Sequence, residues 1–347
     1  METRKVQQLG PATLAMTLPA EWARKYDVTK GDEVTLREGS NGALTVLASR
    51  GGAGTEVVLW ADDLDADGLE RAIIAQYVLG RHVLHVRTRE GNLDHDHIQA
   101  VYDAEAQLMG LGVIEETPED ITVRCSVEAS DFDLENLLER LESTGRTMRE
   151  EAMKAVAHGN TDLAERVIKR ERQANKIFVL LLRLTFTAYQ NPELVPEIGL
   201  DSSFPLIGYR SVAKNLELTA DNAQDIAAIV VESDGEPLDV EGSTMHQIRD
   251  FADHIDALTA DAVRALIDRD YELSVDCRQR FHAVRDAEQD LLRELPELPN
   301  ETLLQVREVL VGLRQTAEYA MRNAQIAANL ALNQDSEHVE LVSASPD

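Results

Sequence analysis

Two eight-residue segments, Glu217-Leu-Thr-Ala-Asp221-Asn222-Ala-Gln224 and Glu318-Tyr-Ala-Met-Arg322-Asn323-Ala-Gln325, recur 101 residues apart with their glutamates and Asn-Ala-Gln triplets in register. A pattern that returns at fixed spacing in a helical stretch demands two copies of one supersecondary unit. The apolar spacing agrees. Leu134, Leu137, Leu138, Leu141 and Met148 fall at the i, i+3, i+4, i+7 positions of a buried stripe. A second helix over 161–189 has a seam of Ala164, Ile168, Phe178, Leu182 and Thr185, interrupted by Glu171 and Asn175. Further helices are predicted over 209–232, 245–269, 273–295 and 301–332. Six helices in two triplets make an all-α pair of tandem three-helix bundles, one over 131–235 and one over 242–335. An acidic tail, 336–347, is expected to be disordered.

Ahead of the bundles the period changes. Strand-like runs at 5–9, 12–18, 34–36 and 43–47 alternate with turn signals at Gly10-Pro11 and Gly39-Ser40-Asn41-Gly42. Between them Pro19 opens a short helix through Trp22 and Tyr26. Fewer than 50 residues cannot bury much core alone, and a dimer that interleaves these hairpins would solve that problem. Gly51-Gly52-Ala53-Gly54 reads as a linker. From 56 to 130 the order β-α-β-α-β-β predicts a small α/β domain. His82, His85, His95 and His97 cluster here in sequence. His82 and His85 point to opposite faces of a strand, and His95 and His97 precede a helix and are expected to face solvent, so no metal set is read from them.

Charge separates these parts. The net charge of −29 is spread over 63 acids, and only 7 of the 34 basic residues are lysine, a composition suited to a salty, halophile-type cytoplasm. Residues 1–50 instead carry seven basic and six acidic side chains, so any nucleic-acid face is expected there. The two cysteines, Cys125 and Cys277, have no zinc spacing. The most apolar run, 177–186, contains Arg183 and is too short to span a membrane, so a cytoplasmic protein without membrane insertion is expected.

The run Leu14-Ala-Met-Thr-Leu18-Pro19-Ala-Glu21-Trp22-Ala-Arg24, followed by Val28-Thr29-Lys30-Gly31-Asp32-Glu33-Val34-Thr35-Leu36, resembles the AbrB/SpoVT/MazE swapped-hairpin family of DNA-binding domains over residues 2–49. That resemblance implies a dimer with Arg4, Lys5, Arg24 and Lys25 facing DNA. Across 133–333 the helical pattern resembles the PhoU family of phosphate-uptake regulators. In that family an acidic residue and an Asp four positions on, carried by facing helices, hold iron or another divalent metal ion. By position the first repeat supplies Glu171 with Asn175 and Glu217 with Asp221; the second supplies Asp286 with Asp290 and Glu318 with Arg322. The implied ligands are Glu171, Glu217, Asp221, Asp286, Asp290 and Glu318.

Side chains four apart on a helix lie one above the other, so such pairs can offer several oxygens to one hard cation. Spacing alone is weak, since 63 acids in 347 positions supply about eleven such pairs by chance. Two departures also bear on the metal. Asn175 stands where a carboxylate is expected, and Arg322 brings a cation whose pairing with Glu318 would substitute for the metal's charge.

Together the resemblances imply a phosphate-responsive regulator of phosphate uptake, a homodimer that binds operator DNA through its first domain and senses or binds a partner through its bundles. The competing expectation is an adaptor that does not bind DNA and acts by contact with a phosphate ABC transporter or a signalling protein. An enzyme is not expected: no Ser/His/Asp set, phosphate-cradling glycine loop or Glu-x-x-His ligand pair is present.

Overall fold

A computed structural model of the chain describes residues 3–38, 44–48, 56–333 and 338–339. The turn expected at Gly39–Gly42 and the linker at Gly51–Gly54 lie outside the described residues, as does most of the tail. The chain divides into two compact units, Met1–Thr55 and Glu56–Asp347.

In the first unit, β1 (Gln7–Gly10) pairs antiparallel with β2 (Thr13–Ala15), and a six-residue helix, α1 (Ala20–Lys25), follows. Pro19 is the cap of that helix with extended backbone rather than its first residue, which fits its fixed φ of −60°. A second hairpin joins β3 (Val34–Glu38) to β4 (Leu44–Ala48). Between them the Asp32 carboxylate accepts from the Thr29 backbone N–H at 2.8 Å and its hydroxyl at 3.0 Å. Gly31 supplies the positive φ of 102° that the turn needs.

The second unit opens with β5 (Glu56–Trp60), α2 (Ala66–Val78), β6 (Val83–Arg87), α3 (His95–Gln107), β7 (Leu111–Glu116) and β8 (Asp120–Cys125). The sheet order is β5-β6-β8-β7, with β5 parallel to β6 and the other pairings antiparallel. Strand alternation turns Leu84, Val86, Ile121 and Val123 onto the core, which Leu69, Ile73, Val101 and Ala104 of the two helices complete.

His97 departs from the sequence reading. Asp94 caps α3 by accepting from the His97 backbone N–H, which places His97 in the first turn. Its ring turns inward, with Nε2 2.9 Å from the Leu64 carbonyl oxygen. His85 bonds Thr122 Oγ1 across the sheet at 3.0 Å.

Six long helices follow: α4 (Leu134–His158), α5 (Thr161–Gln190), α6 (Leu206–Glu232), α7 (Gly242–Ile267), α8 (Tyr271–Glu294) and α9 (Asn300–Ala331). Each triplet packs on itself, and the two join by α4 against α7 and α6 against α9, so each of these helices meets its own counterpart. The α/β layer is not a detached domain. It docks on α5 through Arg183, which is 3% exposed, donates to the carbonyl oxygens of Tyr77 at 2.6 Å and Arg81 at 3.0 Å, and lies over the Tyr77 ring at 4.8 Å.

The duplication is written in equivalent bonds. Asn215 Nδ2 donates to Asn323 Oδ1 at 2.7 Å, and Asn222 Nδ2 donates to Thr316 Oγ1 at 3.3 Å; a shift of 101 residues converts one bond into the other. Between the other helices the shift is 110. The Arg170–Glu151 ion pair (2.6 Å) maps onto Arg280–Asp261 (2.5 Å), and the Asn160 cap of α5 maps onto the Asp270 cap of α8. The buried Arg149–Asp256 pair, at 2.6 Å, pins α4 to α7.

Candidate functional site

The 110-residue shift corrects the alignment of the second helices. Glu171 and Asn175 correspond to Phe281 and Arg285, not to Asp286 and Asp290. Asp286 and Asp290 were expected to aim inward, yet both are exposed, and Asp290 accepts from Arg293 at 3.1 Å. The inward face of α8 turns on Phe281, Val284 and Glu288, which leaves 286 and 290 on its outer side. The partly buried carboxylate on this helix is Glu288.

In the first bundle the expected residues do come together. Glu171 on α5 and Glu217 and Asp221 on α6 share one electrostatic field. Burial, then the Glu217 and Glu171 charges, push Asp221 up to about 6, with Lys214 opposing. Burial first and Glu217 second raise Glu171 above the usual carboxylate range. Glu217 is 9% exposed and accepts a hydrogen bond from Lys214, whose ammonium also lies 5.2 Å from the centre of the Phe178 ring. Three carboxylates here face two opposing cations, Lys214 and Arg172.

The corresponding groove of the second bundle, between α8 and α9, is built differently. Arg314 bridges two carboxylates, Nε to Glu288 at 3.3 Å and Nη1 to Glu318 at 2.7 Å. The partner of Glu318 is therefore Arg314, one turn before it, and not Arg322, which lies over the Tyr319 ring at 5.4 Å. Arg285, Arg314 and Arg322 line a cavity of about 480 Å³ with Glu288 and Glu318. Arg285 and Arg322 make no ion pair among the described residues.

These two grooves answer the metal question separately. The second does not fit a metal: a guanidinium occupies the position between Glu288 and Glu318, and Arg322 and Arg285 add further positive charge. The first has the oxygen donors and the unbalanced charge that suit a hard cation. Even there, no three Asp, Glu, His or Cys side chains among the described residues converge closely enough to hold an ion.

In the first unit Arg4, Lys5, Arg24 and Lys25 are all exposed. Arg24 and Lys25 form the last turn of α1, and Arg4 and Lys5 precede β1. None of the described side chains in this unit is buried. Leu9 is 72% exposed, Leu14 70%, Val6 62% and Leu36 60%. Burying such a side chain stabilises by roughly 1.5–3 kcal/mol, so these hairpins have much to gain from a second surface.

A strand-rich unit with no buried side chain among its described residues, joined to an α/β layer and a duplicated three-helix bundle, defines a modular bundle protein. Residues 138–230 match the PhoU domain, and residues 7–52 match the family described as antidote-toxin recognition MazE, bacterial antitoxin. The chain thus carries a PhoU domain behind a MazE/AbrB-like N-terminal segment. Two of the solved structures that resemble it are PhoU proteins. One is the phosphate transport system regulatory protein PhoU from Streptococcus pneumoniae, with TM-score 0.42, 19% identity, and coverage of 60% of this chain and 96% of that one. The other is PhoU from Pseudomonas aeruginosa, with TM-score 0.41, 16% identity and coverage of 57% and 91%. No curated protein matches the chain significantly. Among the described residues, no helix is long and apolar enough to cross a membrane.

Arg183 and Glu288 escaped the sequence reading. Arg183 had a visible signal, a lone charge inside an apolar run, whereas Glu288 is one acid among many on its helix.

Proposed function

We propose that this protein is a phosphate-responsive regulator of phosphate uptake that binds operator DNA as a homodimer in the cytoplasm. The observation that carries the reading is the joining of a hairpin unit of near-neutral charge, with no buried side chain among its described residues, to a PhoU domain in a chain of −29. A second copy covers Val6, Leu9, Leu14 and Leu36, and Arg4, Lys5, Arg24 and Lys25 face DNA. At high salt counterion release contributes little, so recognition rests on base contacts, shape and the spacing of the two hairpin units. The bundles bias the pairing of these units by changing state with phosphate status, which requires the signal to bind one arrangement more tightly.

In the first bundle Glu171, Glu217 and Asp221, which do not converge on one point in the metal-free chain, draw together around a hard divalent cation that neutralises the charge they share. A thermal-shift titration with Mg²⁺, Mn²⁺ and Fe²⁺ tests this: a stabilisation abolished by Asp221→Asn supports it, and no shift with any cation excludes it.

The adaptor reading has its own support in Tyr189, Phe204 and Ile207, which are 68%, 53% and 71% exposed and flank the connection between α5 and α6. Such side chains suit a protein contact. Footprinting at high potassium separates the readings. A protected operator lost in Arg4→Ala/Lys5→Ala supports DNA regulation, and the absence of any sequence-selective complex leaves the adaptor.

A further inference from the structure

The groove between α8 and α9 carries positive charge in a chain that is otherwise strongly negative. Arg285, Glu288 and Gln289 reach it from α8, and Arg314, Glu318 and Arg322 from α9, at spacings of three, four and eight that stack side chains on one helical face. Three guanidiniums face two carboxylates. Arg314 is engaged with both carboxylates at once, so Arg285 and Arg322 remain to meet a ligand.

The equivalent positions in the first bundle hold Asn175 and Asp221. Duplication has thus kept the groove and changed the sign of the charge it prefers. A guanidinium at 322 excludes a cation and favours an oxyanion, which the planar fork of arginine binds through two parallel hydrogen bonds.

We propose that this groove is an oxyanion site that binds a phosphoryl group between Arg285 and Arg322, with the Gln289 amide as a further donor. Arg314 is a positioning residue that holds Glu288 and Glu318 away from the anion. The cavity, at about 480 Å³, admits either inorganic phosphate or the phosphate of a monoester. The site stands on charge and geometry; only the preference for inorganic phosphate rests on the regulatory reading above.

The test is calorimetric titration of the full chain with inorganic phosphate, sulfate and AMP, repeated on Arg285→Gln/Arg322→Gln and on Arg166→Gln, an exposed arginine of the first bundle. Saturable binding of one phosphate per chain, weakened at least tenfold in the double variant and unchanged in Arg166→Gln, supports the site, since each lost charge-assisted partner costs about tenfold in affinity. Tighter binding of AMP supports the site with a monoester as its ligand. Sulfate binding as tight as phosphate upholds the oxyanion site and overturns phosphate selectivity. No saturable binding of any of the three anions, or binding untouched by the double substitution, overturns the site while leaving the DNA-binding reading to its own footprint test.

Discussion

Replacing Arg149 with methionine should destabilise the bundles more than any surface substitution. Arg149 is 1% exposed, and its Nε lies 2.6 Å from the carboxylate of Asp256, itself 8% exposed. Its two Nη atoms are buried without a hydrogen-bond partner among the described residues, and so is Glu142 Oε1. Burial already holds Glu142 and Asp256 above the usual carboxylate range, with Arg146 and then Arg149 lowering Glu142 and Arg149 lowering Asp256. Removing the guanidinium strands the Asp256 carboxylate at the α4–α7 contact and leaves Glu142 with Arg146 alone, 3.8 Å away, and breaking a buried pair from one side costs about 3–5 kcal/mol. Removing both partners as Arg149→Met/Asp256→Leu also removes the two unsatisfied Nη atoms, so the double variant should recover to within about 1 kcal/mol of the parent or exceed it. Urea unfolding followed by circular dichroism gives the three values needed. A single variant within about 0.5 kcal/mol of the parent, or a double variant as weak as the single, would refute the pin between the bundles.

Asp221→Asn should stabilise the chain in chelator-containing buffer near pH 7. The native carboxyl is raised to about 6, so its charged form opposes folding above that pH; the native state takes up its proton first as pH falls, and the advantage of the variant should fade between about pH 6 and 4. After allowance for solvent screening the gain is about 1 kcal/mol, and thermal melts across that range that show no convergence would contradict the shared field. Arg183→Met should loosen the α/β layer by about 1–3 kcal/mol, since the Arg81 carbonyl oxygen loses its Arg183 donor and that of Tyr77 keeps only the Gly80 N–H; hydrogen exchange should rise in α2 but not in α9. Leu9→Glu/Leu14→Glu should give monomers by light scattering, and an unchanged dimer would place the self-contact elsewhere.

The bundles were legible because helix period and cap residues are local signals: α4 to α9 lie close to the spans expected from apolar spacing alone. The pairing of α5 with α8 was not. The second and third helices are linked by residues 191–205 in the first repeat and 295–299 in the second, so one shift cannot serve the whole repeat. In so acidic a chain, Asp286 and Asp290 then offered a false match on an exposed face. Tertiary ion pairs such as Arg170–Glu151 and Arg280–Asp261 fix the true register, and only folding brings them together. Glu171, Glu217 and Asp221 were legible because Glu171 interrupts an apolar seam and the Glu217 segment repeats. Arg314 was missed because its two partners sit on different helices.

The most direct test of the regulatory account is genome-wide mapping of the sites bound by the intact protein in cells grown at high and at low phosphate. The account predicts occupancy at promoters of phosphate-uptake genes that changes with phosphate and disappears in Arg4→Ala/Lys5→Ala. Occupancy indistinguishable from background in both conditions, with the protein abundant and folded, would contradict it.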